Sequence, residues 1–129
     1  MGSVVSVADY YDNDEMAGTT YRESVIAKAQ WLDALARDAQ LPLVARGVGL
    51  VVASYYNRQK GRAWPSTAEL GERCGMSPRQ VIRHLNTLEG AGYLTVERAA
   101  NRGRGKRRAA YRLDVPAAVA LRSLDGGAA

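Results

Sequence analysis

Apolar residues recur along this chain at two periods, and the switch between them divides it. From Thr20, "TYRESVIAKAQWLDALARDAQ" sets Val25, Ala29, Leu32 and Ala36 three and four residues apart, with Trp31 and Leu35 widening the stripe. That is the spacing of one helix face, and it predicts a helix over 20–39. Thr20 and Glu23 have the spacing of a capping box at its start. Pro42 breaks the pattern before "LVARGVGLVVASYYNRQ", where Leu43, Val44, Val48, Val51, Val52 and Tyr55 return at helical steps. This second helix is expected to run to Gly61, and its Gly47 and Gly49 either weaken it or let another helix approach closely. Trp64 before Pro65 favours extended backbone, as a short strand or turn. Residues 1–19 show no usable period and read as an acidic, flexible tail.

The next segment carries strong local signals. Ser66 or Thr67 caps a short helix, "TAELGERC", whose Ala68, Leu70 and Cys74 are expected to face inward. Gly75 suits a left-handed helix terminus, and Met76 is expected to plug the core. Ser77 opens the following helix with a hydroxyl cap, Pro78 at the first helical position and Gln80 closing a capping box. Two helices joined by so tight a turn make a helix-turn-helix. The second, over 78–90, divides by face. At about 100° per residue, Val81, Leu85 and Leu88 point to the core, while Arg79, Arg83 and Asn86 point away with Gln80 and Thr87 at the edges. Arginine can bond the major-groove edge of guanine twice, and Asn or Gln can pair with adenine, so the outward set has the chemistry of a recognition helix.

After Tyr93 the period becomes two. "YLTVER" and "AYRLDV" alternate apolar and polar residues, with Leu94, Val96, Tyr111 and Leu113 as inward positions of a hairpin. Between them "AANRGRGKRRAA" places Arg102, Arg104, Lys106, Arg107 and Arg108 at the tip, where a basic wing over 101–108 reaches phosphates or a minor groove. "PAAVALRSL" predicts a last helix over 116–124, and 125–129 a second flexible tail. The fold class is therefore mainly α with a small β-hairpin, plus an extra N-terminal helix.

Charge sharpens this picture. Of 129 residues, 18 are Lys or Arg and 13 are Asp or Glu, for a net +5. Residues 1–45 carry seven acids against three bases, and residues 46–129 six acids against fifteen bases. The second part is a cation, and such a field concentrates polyanions, which puts nucleic acid first among partners. No apolar run approaches the about 18 residues that a membrane span needs, and the N-terminus lacks the features of a signal peptide, so a cytoplasmic, nucleoid-associated protein is expected. One Cys and one His, Cys74 and His84, do not make a zinc site, so no metal is expected. His84 flanks the core stripe with no Ser, Cys or paired carboxylate beside it, which fits packing or phosphate contact rather than catalysis. Neither "RGVG" nor "NRGRGK" has the order of a phosphate-binding loop, and no cofactor is expected.

Residues 41–98, above all "GRAWPST", "CGMSPRQVIRHLNTLEGAGYL" and the hairpin, resemble the winged helix-turn-helix domains of bacterial, phage and plasmid regulators and replication initiators. By position the resemblance implies DNA contacts at Ser77, Arg79, Gln80 and Arg83 and a wing at 102–108. The face analysis adds Asn86, Thr87 and His84, and Ser66 and Thr67 join them from the start of the preceding helix. The implied protein is a sequence-specific binder of double-stranded DNA, without enzymatic activity, that regulates a bacterial or mobile-element operon. Two other readings stand beside it: a replication-initiation or excisionase-like architectural factor, and a winged-helix adaptor for protein or RNA. A homodimer is expected through Val25, Trp31, Leu32 and Leu35, and the acidic tail is a candidate contact for a protein partner.

Overall fold

A computed structural model describes residues 21–98, 109–117 and 119. Thr20, the tail over 1–19, the hairpin tip over 101–108 and most of the expected helix over 116–124 lie outside the described residues; within that helix 117 and 119 are helical. Four helices precede a two-stranded antiparallel hairpin: α1 Tyr21–Arg37, α2 Leu43–Ala53, α3 Thr67–Cys74, α4 Pro78–Gly90, β1 Leu94–Glu97 and β2 Ala110–Leu113.

The first helix turns a different face inward than its alanines and valine suggest. Ser24, Trp31 and Leu35 are buried, Val25 and Leu32 are half-buried, and Ala29 and Ala36 are exposed. Trp31 decides this orientation. Only 1% exposed, it sets its ring edge-on to Tyr93 at 6.2 Å and 79°. Its Nε1–H donates to the Tyr93 carbonyl at 2.9 Å, which satisfies the indole inside the core. Burying an indole removes far more apolar surface from water than burying alanine methyls, so the helix rotates to favour it. Trp31 and Leu35 are thus part of this chain's own core and are not available to a second copy, contrary to the expected dimer seam; Val25 and Leu32 keep part of their surface outside. Arg46 ties the end of α1 to α2, donating to the carbonyls of Leu41 at 3.1 Å and Ala36 at 2.9 Å.

Helix α2 ends at Ala53, well short of Gly61. A compact turn takes its place. Asn57 N–H donates to the Arg62 carbonyl at 2.7 Å, Gly61 N–H donates to the Asn57 carbonyl at 2.8 Å, and the Asn57 side chain accepts from Lys60 N–H at 3.0 Å. Gly61 occupies φ 71°, a value open to glycine at little cost. These bonds satisfy the backbone locally and outcompete another helical turn. Val48 and Val52 are buried as expected and Val51 and Tyr55 half-buried, whereas Leu43 and Val44 face solvent, Leu43 at 73%. Of the two glycines, Gly49 is the one approached: a Cβ there would lie 2.8 Å from Leu35 Cδ2 and 3.3 Å from Leu88 Cδ1. Gly47 faces open space.

The hairpin pairs Leu94 with Leu113, Thr95 with Arg112, Val96 with Tyr111 and Glu97 with Ala110. Leu94 and Tyr111 are buried and Val96 and Leu113 half-buried, so the period-two reading holds. Ala63 extends the sheet by one bridge, exchanging bonds of 3.0 and 2.8 Å with Tyr111. That bridge is the short extended piece expected around Trp64 and Pro65. Three helices on a common core with a hairpin behind the last make a winged helix-turn-helix, with α1 packed on it through Trp31 and Leu35.

Candidate nucleic-acid interface

The turn between α3 and α4 is built from interactions within a dozen residues. At the start of α3, Glu69 N–H donates to Ser66 Oγ at 3.0 Å and Ser66 N–H donates to Glu69 Oε1 at 2.8 Å. At the start of α4, Gln80 N–H donates to Ser77 Oγ at 3.2 Å and Ser77 N–H donates to Gln80 Oε1 at 2.9 Å. Both are reciprocal capping boxes, and Pro78 stands in the first turn of α4. Gly75 ends α3 at φ 69°, and Met76 N–H closes the turn on the Gly71 carbonyl at 3.0 Å. Gly71 permits the closure, because a Cβ there would stand 2.6 Å from the Met76 carbonyl oxygen. Met76 and Cys74 are half-buried against the core, and burial pushes the Cys74 thiol up. Ala68, expected inward, is exposed, and Leu70 and Gly71 form the buried side of α3.

The turn delivers α4 with its two faces sorted as predicted. Val81, Leu85 and Leu88 are buried; Arg79, Gln80, Arg83 and Asn86 are exposed. Thr87 is half-buried and spends its hydroxyl proton on the Arg83 carbonyl at 3.2 Å, leaving its lone pairs as acceptors. His84 is half-buried beside the core stripe. Gln80 is restricted by its cap: with Oε1 held by Ser77, only its amide N–H groups are free to bond a ligand without dismantling the box. Ser66, Thr67 and Ser77 lie at helix starts, where the two serines act first as caps.

At the neck of the hairpin, charges from three segments meet. Arg62 donates to Glu97 at 2.6 Å and 3.4 Å, and Arg112 reaches the same carboxylate at 3.5 Å. The hydrogen bond from Arg62 holds the Glu97 carboxyl below the usual carboxylate range, with the charges of Arg62 and Arg112 adding to it. Arg98 spans from the end of β1 to Glu89 of α4 at 3.5 Å, coupling hairpin and helix.

In comparison with known protein families, residues 39–94 match the model of a helix-turn-helix domain. The match runs from the loop before α2 to the start of β1 and contains both capping boxes and all of α4. Searches of curated proteins and of solved structures find no match. A helix-turn-helix domain supports a DNA-binding role. Among the described residues no helix is long and apolar enough to cross a membrane, and no cluster of His, Cys, Asp and Glu could hold a metal ion.

Within the domain, Arg79, Arg83, Asn86 and Gln80 come together on one exposed face, with Ser77 at its N-terminal edge. The five cations of the tip, Arg102 to Arg108, lie outside the described residues. Sequence reasoning missed Arg62, Arg98 and Arg112 at the neck, although the alternation of "AYRLDV" already places Arg112 on the hairpin's outer side. It also missed Ile82, which is 45% exposed on α4 at the Asn86 edge of its outward side.

Proposed function

We propose that this protein binds double-stranded DNA sequence-specifically and regulates transcription from the cytoplasm, with α4 in the major groove and the basic hairpin tip on phosphates or in the neighbouring minor groove. One observation carries the reading: α4 buries Val81, Leu85 and Leu88 while Arg79, Arg83 and Asn86 stand exposed together on the other side. Two of these side-chain types donate bidentately to guanine or bond adenine, and the caps at both ends of the turn fix the direction in which they point. The bacterial or mobile-element setting rests on the resemblance of residues 41–98 to regulators of that kind.

Pairing of two copies is part of the proposal, in a narrower form than Trp31 and Leu35 first suggested. Val25, Ala29, Leu32 and Ala36 form an uncharged stripe along α1 outside the buried side, and Leu32 lines a groove with Leu50 and Val51 of α2. The deciding experiment for DNA binding is selection of bound duplexes from a random library, followed by titration of the winner and a scrambled duplex at several salt concentrations. A consensus whose affinity exceeds the scrambled duplex by about 10³-fold or more is expected. Equal binding to every duplex, or preference for single-stranded RNA, would reject the reading. Mapping of occupied sites in cells then separates promoters from replication origins.

A further inference from the structure

Ile82 is the residue on α4 that neither the core nor the polar reading face explains. The core side of the helix is already filled by Val81, Leu85 and Leu88, all buried. Ile82 projects about 100° away from Val81, which puts it beside Arg79, three residues earlier, and Asn86, four residues later. Those two are exposed, and so are Gln80 and Arg83. Ile82 is itself 45% exposed, the one large apolar side chain among the outward residues of this helix. A β-branched residue on a solvated helix face lowers helix propensity relative to Ala, Gln or Lys, so local stability does not favour isoleucine there.

The floor of the major groove has one apolar feature, the 5-methyl group of thymine. An isoleucine among guanine- and adenine-bonding side chains meets that methyl with a branched apolar end. The spacing sets the position. Four residues separate Ile82 from Asn86, about 6 Å along the axis, or just under two steps of the roughly 3.4 Å between stacked base pairs. We infer that Ile82 is a specificity-determining residue that packs on the methyl of a thymine within two base pairs of the adenine held by Asn86. This deepens the proposed function and rests on α4 being the reader.

The test uses the full chain and the duplex enriched by selection, with each thymine replaced singly by deoxyuridine, which removes only the methyl. The wild type should lose about fourfold in affinity at one or two positions within that span, the effect of one methyl group left unburied. Ile82→Ala should bind the parent duplex more weakly by a similar factor and be indifferent to deoxyuridine at those positions, while Ile82→Val keeps most of the methyl dependence. Far-ultraviolet circular dichroism of both variants should match the wild type, since Ile82 is outside the core. If methyl removal costs nothing in the wild type, or costs the same in wild type and Ile82→Ala, the inference is overturned while the reading of α4 stands. If selection returns no preferred duplex, both fall together.

Discussion

Two glycines on neighbouring helices have opposite surroundings, and this makes them a controlled comparison. Gly71 lies where α3 and the turn touch: a Cβ would stand 2.6 Å from the Met76 carbonyl oxygen, which is backbone and cannot swing aside. Gly71→Ala therefore has to open the turn that Met76 N–H closes, and overpacking of this kind costs about 1–3 kcal/mol. Gly47, inside α2, has nothing near its missing side chain. Gly47→Ala should raise stability by up to about 1 kcal/mol through helix propensity alone. Thermal unfolding of the two variants should move in opposite directions; a shift of the same sign would contradict the geometry of the turn. Arg79 and Arg83 offer the complementary test, because they are exposed and bear on binding rather than folding. Arg83→Ala and Arg79→Ala should each weaken specific binding by about 1–3 kcal/mol and relax the preference at one base pair, with unfolding unchanged. Unaltered affinity and base preference in both variants would show that α4 is not the reader.

Elements differ in how openly the chain announces them. The Ser77–Gln80 capping box was legible because it closes within four residues, so the sequence contains both partners, whereas at the start of α3 the sequence offered Ser66 or Thr67 as the cap and the structure selects Ser66, closed by Glu69. The facing of α4 was legible for a related reason, since only one of its sides is apolar. Helix α1 offered two overlapping stripes, and the choice between them was made by Tyr93, a partner 62 residues away that periodicity cannot register. The early end of α2 was hidden in the same way, in a turn whose bridge to Arg62 competes with a continuing apolar pattern. Glu97 illustrates how an element depends on such distant partners. Arg62 holds its carboxyl below the ordinary value, so the ion pair stabilises the neck at neutral pH. That contribution is lost as pH falls below the ordinary glutamate value of about 4.3 and through the lower folded value. The gap in melting temperature between wild type and Glu97→Gln should accordingly close on acidification, and a gap independent of pH would show that the pair is not formed. The wing is tested by charge. Replacing Arg102, Arg104, Lys106, Arg107 and Arg108 by Ser or Gly should weaken specific and random duplexes alike and flatten the salt slope by about 2–4, at roughly 0.9 per phosphate contact. Loss confined to A·T-rich flanks on Arg104→Ala would instead assign that residue to a minor groove.

For the whole molecule, the question is which surfaces are left once the core has taken its share. Gly49 carries the close packing of α2 against Leu35 and Leu88, and Val48 and Val52 are buried. Leu43, Gly47 and Leu50 share the solvent side of the same helix, and Leu50 is 57% exposed. Across a shallow groove from Leu50 stands Leu32, on the stripe that also holds Val25, Ala29 and Ala36. This apolar surface uses no residue of the exposed side of α4, so pairing of two copies through it leaves both α4 helices free. The groove has Lys28 and Arg73 in its lining, and burial, with the Arg58 charge adding, pushes the Lys28 ammonium below its ordinary value. Two kinds of substitution separate pairing from folding. Leu50→Arg and Leu32→Glu place charge on the proposed seam and should convert a dimer into a folded monomer, with melting temperature little changed for the exposed Leu50. Trp31→Ala should instead cost about 3–5 kcal/mol of stability, because it empties a core position and removes a buried hydrogen bond. Light scattering on the wild type, at concentrations well above those needed to saturate DNA, should give twice the mass of the chain. A monomer mass there rejects pairing outright, and a dimer that survives Leu50→Arg and Leu32→Glu moves the seam elsewhere on the molecule.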